Sequence, residues 1–377
     1  MKYYYAQHHI DDNDVKHVKK ALSQKILSQG KYKFLLEKKV KKMFKSKYVA
    51  AVSNGSSALH LAYLSLGLGK KDYIITTPLT WTATVSGAIH CGANVKLIDI
   101  DPETLNIDTD KLENFLLKSK KKPKIIVPVH YGGSPANMKK IYEISKRYGI
   151  YVVEDAAQAM GATFKKKLIG NCLYSDITVF SMHPAKTITS GEGGLLLTND
   201  KKIIEKVNSL KHHGIDSNKK NFRWASNIKE LGFNYKISEI NCALAYSQID
   251  KIKKFVKYKE MIRNIYIKEL QNFPGIEFQK ILDFCKSSNH LFTILLPKKI
   301  NENKKNKIYD FLKKKNIFLT LKYLPIHQNS AYKKKFGHFK NSEFFFKRAF
   351  NLPISFKLKN KDVLYICKNI KKAILNK

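Results

Sequence analysis

One lysine stands where covalent chemistry is possible. In the segment Phe180-Ser181-Met182-His183-Pro184-Ala185-Lys186-Thr187-Ile188-Thr189-Ser190-Gly191-Glu192-Gly193-Gly194, an apolar strand ends at Ser181 and turns at Pro184. It then presents Lys186 before a run of small residues. In a chain with 70 Lys and Arg the residue type carries no weight; the placement between two apolar strands does. A lysine held there can be desolvated, its pKa lowered, and its neutral amine can attack a carbonyl to form a Schiff base. His183 reads as a packing residue, because no second metal-type residue lies at ligand spacing. Asn54-Gly55-Ser56-Ser57-Ala58 opens a helix after a strand. Free amides and two hydroxyls there make a seat for phosphate, although serine at a helix start also serves as a plain cap. Glu154-Asp155-Ala156-Ala157-Gln158-Ala159 follows the apolar run Ile150–Val153. Asp155 either projects into a ligand crevice, able to hold a pyridinium N–H, or caps the next turn.

These segments need a frame to bring them together. Between about residues 45 and 215, short apolar runs alternate with helical periodicity. The strands expected are Lys47–Ser53, Tyr73–Pro78, Val95–Asp101, Lys124–His130, Ile150–Asp155, Ile177–Met182 and Gly194–Thr198. The helices between them are Ser56–Leu66, Thr82–His90, Asp110–Lys118, Asn137–Tyr148 and Asp200–His212. Such alternation implies an α/β fold, with a mostly parallel seven-stranded sheet covered on both faces and ligands at the carboxyl ends of its strands. Two helices precede it, Asp11–Leu27 and Tyr32–Phe44, with a break at Leu27-Ser28-Gln29-Gly30. After Ser238 one long helical pattern runs to about Asn272, the length of a spine joining two domains. The remainder mixes strands (Ile276–Gln279, His290–Leu296, Phe318–Tyr323) with helices (Asn303–Lys315, Ser342–Phe350, Lys361–Ile374). The expected division is a large domain over residues 1–250 and a small α+β domain over 251–377.

A formal charge of +40 invites a nucleic-acid reading. Against it, the lysines spread along the whole chain, and the arginines are only Arg147, Arg223, Arg263 and Arg348. A surface that reads bases or clamps phosphates favours the planar fork of Arg. Lysine filling solvated helix faces accounts for the charge, and the lysine-rich runs at 119–122 and 333–335 read as surface turns. The charge also suits recruitment of an anionic substrate. No stretch has the apolar length of a membrane span, and Met1 to His9 lacks a signal-peptide core; the cytoplasm is the expected location. Five scattered cysteines (Cys91, Cys172, Cys242, Cys285, Cys367) form neither a disulfide framework nor a metal set, and are expected as small buried apolar residues.

The string Asp155 … Gln158, then Ser181 … Lys186 … Gly191-Glu192-Gly193-Gly194, resembles the DegT/DnrJ/EryC1/StrS nucleotide-sugar aminotransferases, which are fold-type I pyridoxal-phosphate enzymes. Gly55-Ser56-Ser57-Ala58-Leu59-His60, Pro78-Leu79-Thr80-Trp81-Thr82-Ala83-Thr84, Asp99-Ile100-Asp101 and Leu231-Gly232-Phe233-Asn234-Tyr235-Lys236 agree, in order, over essentially the whole chain. Within the family the likeness is to the pseudaminic acid branch, through Gln7, Leu27-Ser28-Gln29-Gly30, Tyr174 to Pro184, and Tyr323-Leu324-Pro325-Ile326-His327.

The resemblance implies transamination of a UDP-linked 4-keto-6-deoxy sugar at C4, with L-glutamate as the donor and pyridoxal 5′-phosphate as the cofactor. It implies that Lys186 bonds the cofactor covalently, Asp155 pairs with the pyridine nitrogen, Gln158 approaches the phenolic oxygen and Trp81 stacks on the ring. Ser56, Ser57 and Ser181 would bind the phosphate. Asn234 would reach it from a second subunit, so a homodimer with shared sites is implied. His327 would lie near the sugar, and Lys236 near the donor. Three positions depart from the pattern. Lys236 stands where many relatives carry Arg, Lys322 where the branch usually carries His, and Gln158 where many pseudaminic-pathway enzymes carry His. Three rivals are weighed. A C3 aminotransferase, or one for another sugar, shares most of these motifs. Sugar 3-dehydratases of this fold have His in place of the lysine, and Lys186 argues against them. A basic regulator on the same fold needs an appended helix-turn-helix, for which few residues remain.

Overall fold

The computed structural model describes residues 2–215, 225–332 and 336–375. Arg223, the Lys219-Lys220 stretch and the lysine run at 333–335 lie outside the described residues.

Seven strands form the central sheet: β1 (Tyr48–Val52), β2 (Tyr73–Thr76), β3 (Asn94–Leu97), β4 (Ile125–Ile126), β5 (Tyr151–Asp155), β6 (Ile177–Ser181) and β7 (Gly194–Thr198). Their order is β1-β7-β6-β5-β4-β2-β3. β7 runs antiparallel to both its neighbours, and the remaining pairings are parallel. The near-continuous apolar runs follow from burial on both faces. In β7, Leu195 and Leu197 enter one core while Leu196 enters the other, as the two-residue repeat of a strand requires.

Helices cover each face. α3 (Gly55–Ser65), α4 (Thr82–His90) and α7 (Lys201–Leu210) pack on one side through Ala62, Ala88 and Val207. On the other side lie α1 (Asp12–Leu22), α2 (Lys31–Phe44), α5 (Thr109–Lys118), α6 (Met138–Tyr148) and α8 (Glu239–Ile249), contributing Ala21, Leu36, Leu112, Ile141 and Ala243. The break Leu27 to Gly30 is stapled from afar: Glu239 at the start of α8 accepts from the amides of Gly30 (2.8 Å), Tyr32 (2.5 Å) and Lys33 (3.1 Å).

The long helix expected after Ser238 is two helices, α8 and α9 (Ile252–Leu270). At the break, Asp250 pairs with Lys39 of α2, and Lys251 reaches Asp11 and Asp14 at the start of α1. No Gly or Pro marks the spot, so periodicity runs through it.

A second core gathers Ile262, Tyr266, Phe292, Leu312, Leu352 and Ile366 around a three-stranded antiparallel sheet. Its strands are β8 (Glu277–Phe278), β9 (Phe292–Leu295) and β10 (Ala349–Leu352), in the order β8-β9-β10, with α10 (Glu302–Lys314), α11 (Lys340–Arg348) and α12 (Asn360–Leu375) alongside. Two corrections apply here. The third strand is Ala349–Leu352, which sequence periodicity assigned partly to the preceding helix. Of the segment expected as strand Phe318–Tyr323, Phe318 with the preceding Ile317 pairs with the N-terminal Tyr3–Tyr4, and Thr320 makes an isolated bridge to Asn351. Buried Arg348 fixes the switch from helix to strand by donating to Leu296 O at 2.7 Å and pairing with Glu277. Tertiary pairing overrides local pattern at both places.

Candidate active site

The sheet order brings three sequence-distant segments to one edge of the fold. In register, Asp155 of β5 lies opposite Val179 of β6, and Gly194 of β7 lies opposite both Ser181 and Val52. The carboxyl ends of β1, β5 and β6 therefore meet the start of β7. A cavity of about 480 Å³ opens there, lined by Ser56, Trp81, Asp155, Gln158, Ser181 and Lys186 among others.

Helix α3 starts at its rim. Asn54 caps it by accepting from the Ser57 amide at 2.8 Å, while the Ser57 hydroxyl accepts from the Asn54 amide at 3.1 Å and donates to the Asn54 carbonyl at 2.9 Å. This reciprocal cap occupies Ser57, which is buried outside the cavity, whereas Ser56 is exposed to it. The first amides of a helix have no intrahelical partner and favour an anion. Gly55 makes the close approach possible: a Cβ there would lie 2.9 Å from the Ser181 Cβ. Gly194 is needed for the same reason, since its Cβ would meet the Asn54 carbonyl oxygen at 2.3 Å.

Asp155 is 5 % exposed and held on both sides. One carboxylate oxygen accepts from the Thr84 hydroxyl at 2.6 Å, and the other accepts from the Ala157 amide at 3.1 Å. Thr80 supports Thr84 across 2.7 Å. Asp155 thus caps the following turn and also faces the cavity, so the two sequence readings coexist. Behind it, buried Glu154 is opposed by burial, yet hydrogen bonds from His130 (2.8 Å), Ser175 and Thr178 outweigh that and hold its carboxyl below the usual range.

Gln158 is committed. Its carbonyl oxygen accepts from the Gly132 amide at 2.7 Å, and its nitrogen donates to the Tyr323 hydroxyl at 2.8 Å. Burial pushes that tyrosine's pKa well up, so it stays a neutral donor. Trp81, 57 % exposed, precedes α4 with its ring 5.4 Å from that of Tyr323.

Lys186 leaves the turn after β6, its amide bonded to the His183 carbonyl at 2.8 Å. Burial brings its pKa down to about 8, opposed by Asp155 and reinforced by Lys322. It is partly exposed and lines the cavity. A second buried lysine, Lys259 of α9, is lowered to about 8 by burial, with Lys186 adding to the effect.

Besides Ser57, three expected site residues do not line this cavity. Asn234 is exposed and bridges His212. Lys236 Nζ lies 3.2 Å from His213 Nε2. His327 is buried under Phe339, with Nε2 3.0 Å from Glu343. Conversely, the structure brings in Tyr5, His290 and Lys322. Burial holds His290 well below the usual histidine range, and its Nδ1 finds no partner among the described residues. Neither Tyr5 nor His290 carried a local signal, since each reaches the cavity from a remote part of the chain.

Among the described residues no cluster of His, Cys, Asp and Glu suits a metal, and no helix is long and apolar enough to cross a membrane. The cysteines are free; Cys91 is half-buried and the other four are buried.

Comparison with known proteins adds the following. Residues 8–371 match the profile of the DegT/DnrJ/EryC1/StrS aminotransferase family. A Campylobacter jejuni protein named UDP-4-amino-4,6-dideoxy-N-acetyl-beta-L-altrosamine transaminase is 35 % identical over 364 residues, covering 96 % of this chain and 95 % of its own. The solved structure of Helicobacter pylori PseC, described as an aminotransferase involved in the biosynthesis of pseudoaminic acid, superposes with a TM-score of 0.92 at 28 % identity, covering 99 % of each chain. A putative sugar aminotransferase from Streptococcus pneumoniae, Spr1654 in its PLP-form, shares the fold with a TM-score of 0.91 at 23 % identity, over 99 % of each chain.

Proposed function

The chain belongs to the DegT/DnrJ/EryC1/StrS aminotransferase family, and from that premise we propose that it moves the amino group of L-glutamate onto C4 of a UDP-linked 4-keto-6-deoxy sugar in pseudaminic acid biosynthesis, with pyridoxal 5′-phosphate as cofactor. The observation that carries the reading is a lysine with its pKa lowered to about 8 in the same cavity as a fixed carboxylate. The activity named for the Campylobacter relative supports the nucleotide and the C4 position.

The residues present fit pyridoxal phosphate. Ser56, Ser181 and the free amides at the start of α3 make a phosphate seat, kept open by the missing side chain of Gly55. Asp155, steadied by Thr84 and Ala157, is suited to hold a protonated ring nitrogen. Trp81 offers an aromatic face, and Tyr323 with Gln158 a donor for the ring oxygen. Ser57 contributes by fixing the cap rather than by contact.

When bound, the cofactor supplies an electron sink for charge at the reacting carbon. Lys186 would hold the cofactor covalently through its Nζ. Once free, that Nζ, about half neutral at pH 8, would carry the protons, taking one from the donor's amine-bearing carbon and delivering one to C4 of the sugar. Asp155 would hold the ring N–H of the bound cofactor.

A homodimer with shared sites is part of this reading. Its support is that Asn234 and Lys236 do not line their own cavity and lie on a segment where Leu231 is 92 % exposed. Incubation with UDP-4-keto-6-deoxy sugars and L-glutamate, followed by product mass, tests the whole proposal. The expected product carries an amino group in place of the oxo group. Absence of any aminated nucleotide sugar across a panel of UDP-linked 4-keto sugars would count against it.

A further inference from the structure

We propose that Lys322 anchors a carboxylate of the amino-acid donor, an inference that rests on the aminotransferase reading above. A donor entering this cavity brings a carboxylate out of water, and that group needs a cation to replace its hydration. Arginine is the usual solution because its fork matches a carboxylate, but no arginine lines the cavity among the described residues. Arg147 pairs with Glu113 of α5, and Arg348 is bound to Glu277 and the Leu296 carbonyl.

The remaining cations are few. Lys186 is taken by the chemistry, burial pushes His290 and His183 below the usual histidine range, and Lys236, expected near the donor, does not line the cavity of its own chain. Lys322 is left. No carboxylate lies within ion-pair distance of it among the described residues, although it is only partly exposed.

Its backbone is fixed from two sides. The amide donates to Asn351 Oδ1 of β10 at 2.7 Å, and the carbonyl accepts from the Tyr131 hydroxyl. Asn351 is itself held by Thr293 of β9 at 2.8 Å, so the stem is rooted in the smaller sheet. The ammonium lies 5.2 Å from the Tyr5 ring centre and 5.9 Å from that of Tyr323. Aromatic faces steady a cation without neutralising it, which leaves the full charge for an incoming anion. Burial lowers the pKa of Lys322, so a carboxylate partner would relieve a cost already present in the free protein.

The test separates the half-reactions in the cofactor-loaded dimer. Lys322→Ala and Lys322→Gln, the second preserving the bulk of the stem, are compared with wild type and Lys322→Arg. The readouts are the glutamate half-reaction, the keto-sugar half-reaction, and equilibrium binding of succinate, which carries carboxylates but no amine to react. Losing one charge-assisted hydrogen bond weakens binding by about ten- to hundred-fold. The expected result is that loss in succinate affinity and in KM for glutamate, with the sugar half-reaction at its wild-type KM and most of the affinity restored in Lys322→Arg. Unchanged succinate binding and glutamate KM in both neutral variants would overturn the assignment. So would a loss confined to the sugar half-reaction, or a donor defect found in Lys236→Ala but in neither neutral Lys322 variant. If the wild type aminates no keto sugar, the substrate reading fails, while succinate binding and the glutamate half-reaction still decide on Lys322.

Discussion

At Lys186 reactivity comes from surroundings rather than residue type. Its amine is nucleophilic only when neutral, and burial brings the neutral form within reach of ordinary buffers. Capture of pyridoxal phosphate by the cofactor-free protein should therefore rise about tenfold per pH unit below about 8 and level off above it. A midpoint near that of an ordinary lysine, read by borohydride trapping, would contradict this. Lys186→Ala should lose all transamination while its circular dichroism stays native, because in the proposed function the position supplies both the covalent bond and the proton shuttle. Turnover near the wild-type rate would move the site elsewhere. Asp155→Asn retains the bond from Thr84 but no negative charge, so it should bind some cofactor and lose about a hundredfold or more in kcat; an unchanged kcat would remove Asp155 from the chemistry.

At the scale of elements, the site depends on how firmly the helices hold the strand ends. Glu239 is fully buried, and its carboxylate accepts three amides at the start of α2. This joins the break after Leu27 to α8 and does for α2 what its own cap cannot, since Gly30 has no side chain to offer. Glu239→Ala leaves buried donors unpaired and should cost about 2–4 kcal/mol, measured by urea unfolding. An unfolding free energy equal to wild type would mean that water or a rearranged loop replaces the carboxylate.

Over the whole molecule, the positive charge and the exposed segment around Leu231 call for different explanations. Many lysines are spent locally: Lys121 and Lys122 bond backbone carbonyls at a turn, and Lys39, Lys140 and Lys206 pair with acids. The segment carrying Asn234 makes sense as half of a shared site. Mixing Lys186→Ala protomers with Asn234→Asp protomers tests that. A mixed dimer should regain one intact site, with Lys186 from one chain and Asn234 from the other. No recovery of activity after confirmed subunit exchange, or an active monomer, would exclude sharing.

Much of the frame was legible in the amino-acid order. Apolar runs of strand length mark the inner strands of the central sheet, because burial on both faces favours apolar residues, whereas the edge strand β3 carries exposed Asn94 and Lys96. The glycines beside Ser181 and Asn54 mark where backbones must touch. Lys186 and Asp155 could be singled out because each follows such a strand, and a parallel sheet gathers those ends on one side. Which residues complete the cavity was decided in three dimensions. His290, Tyr5 and Lys322 arrive from the smaller sheet and the N-terminus, and no local periodicity encodes contacts between segments hundreds of residues apart. The same holds for β10, which pairs as a strand only because β9 offers an edge. It holds also for Ser57, whose hydroxyl faces its own helix cap and not the cavity because the turn after β1 points it inward.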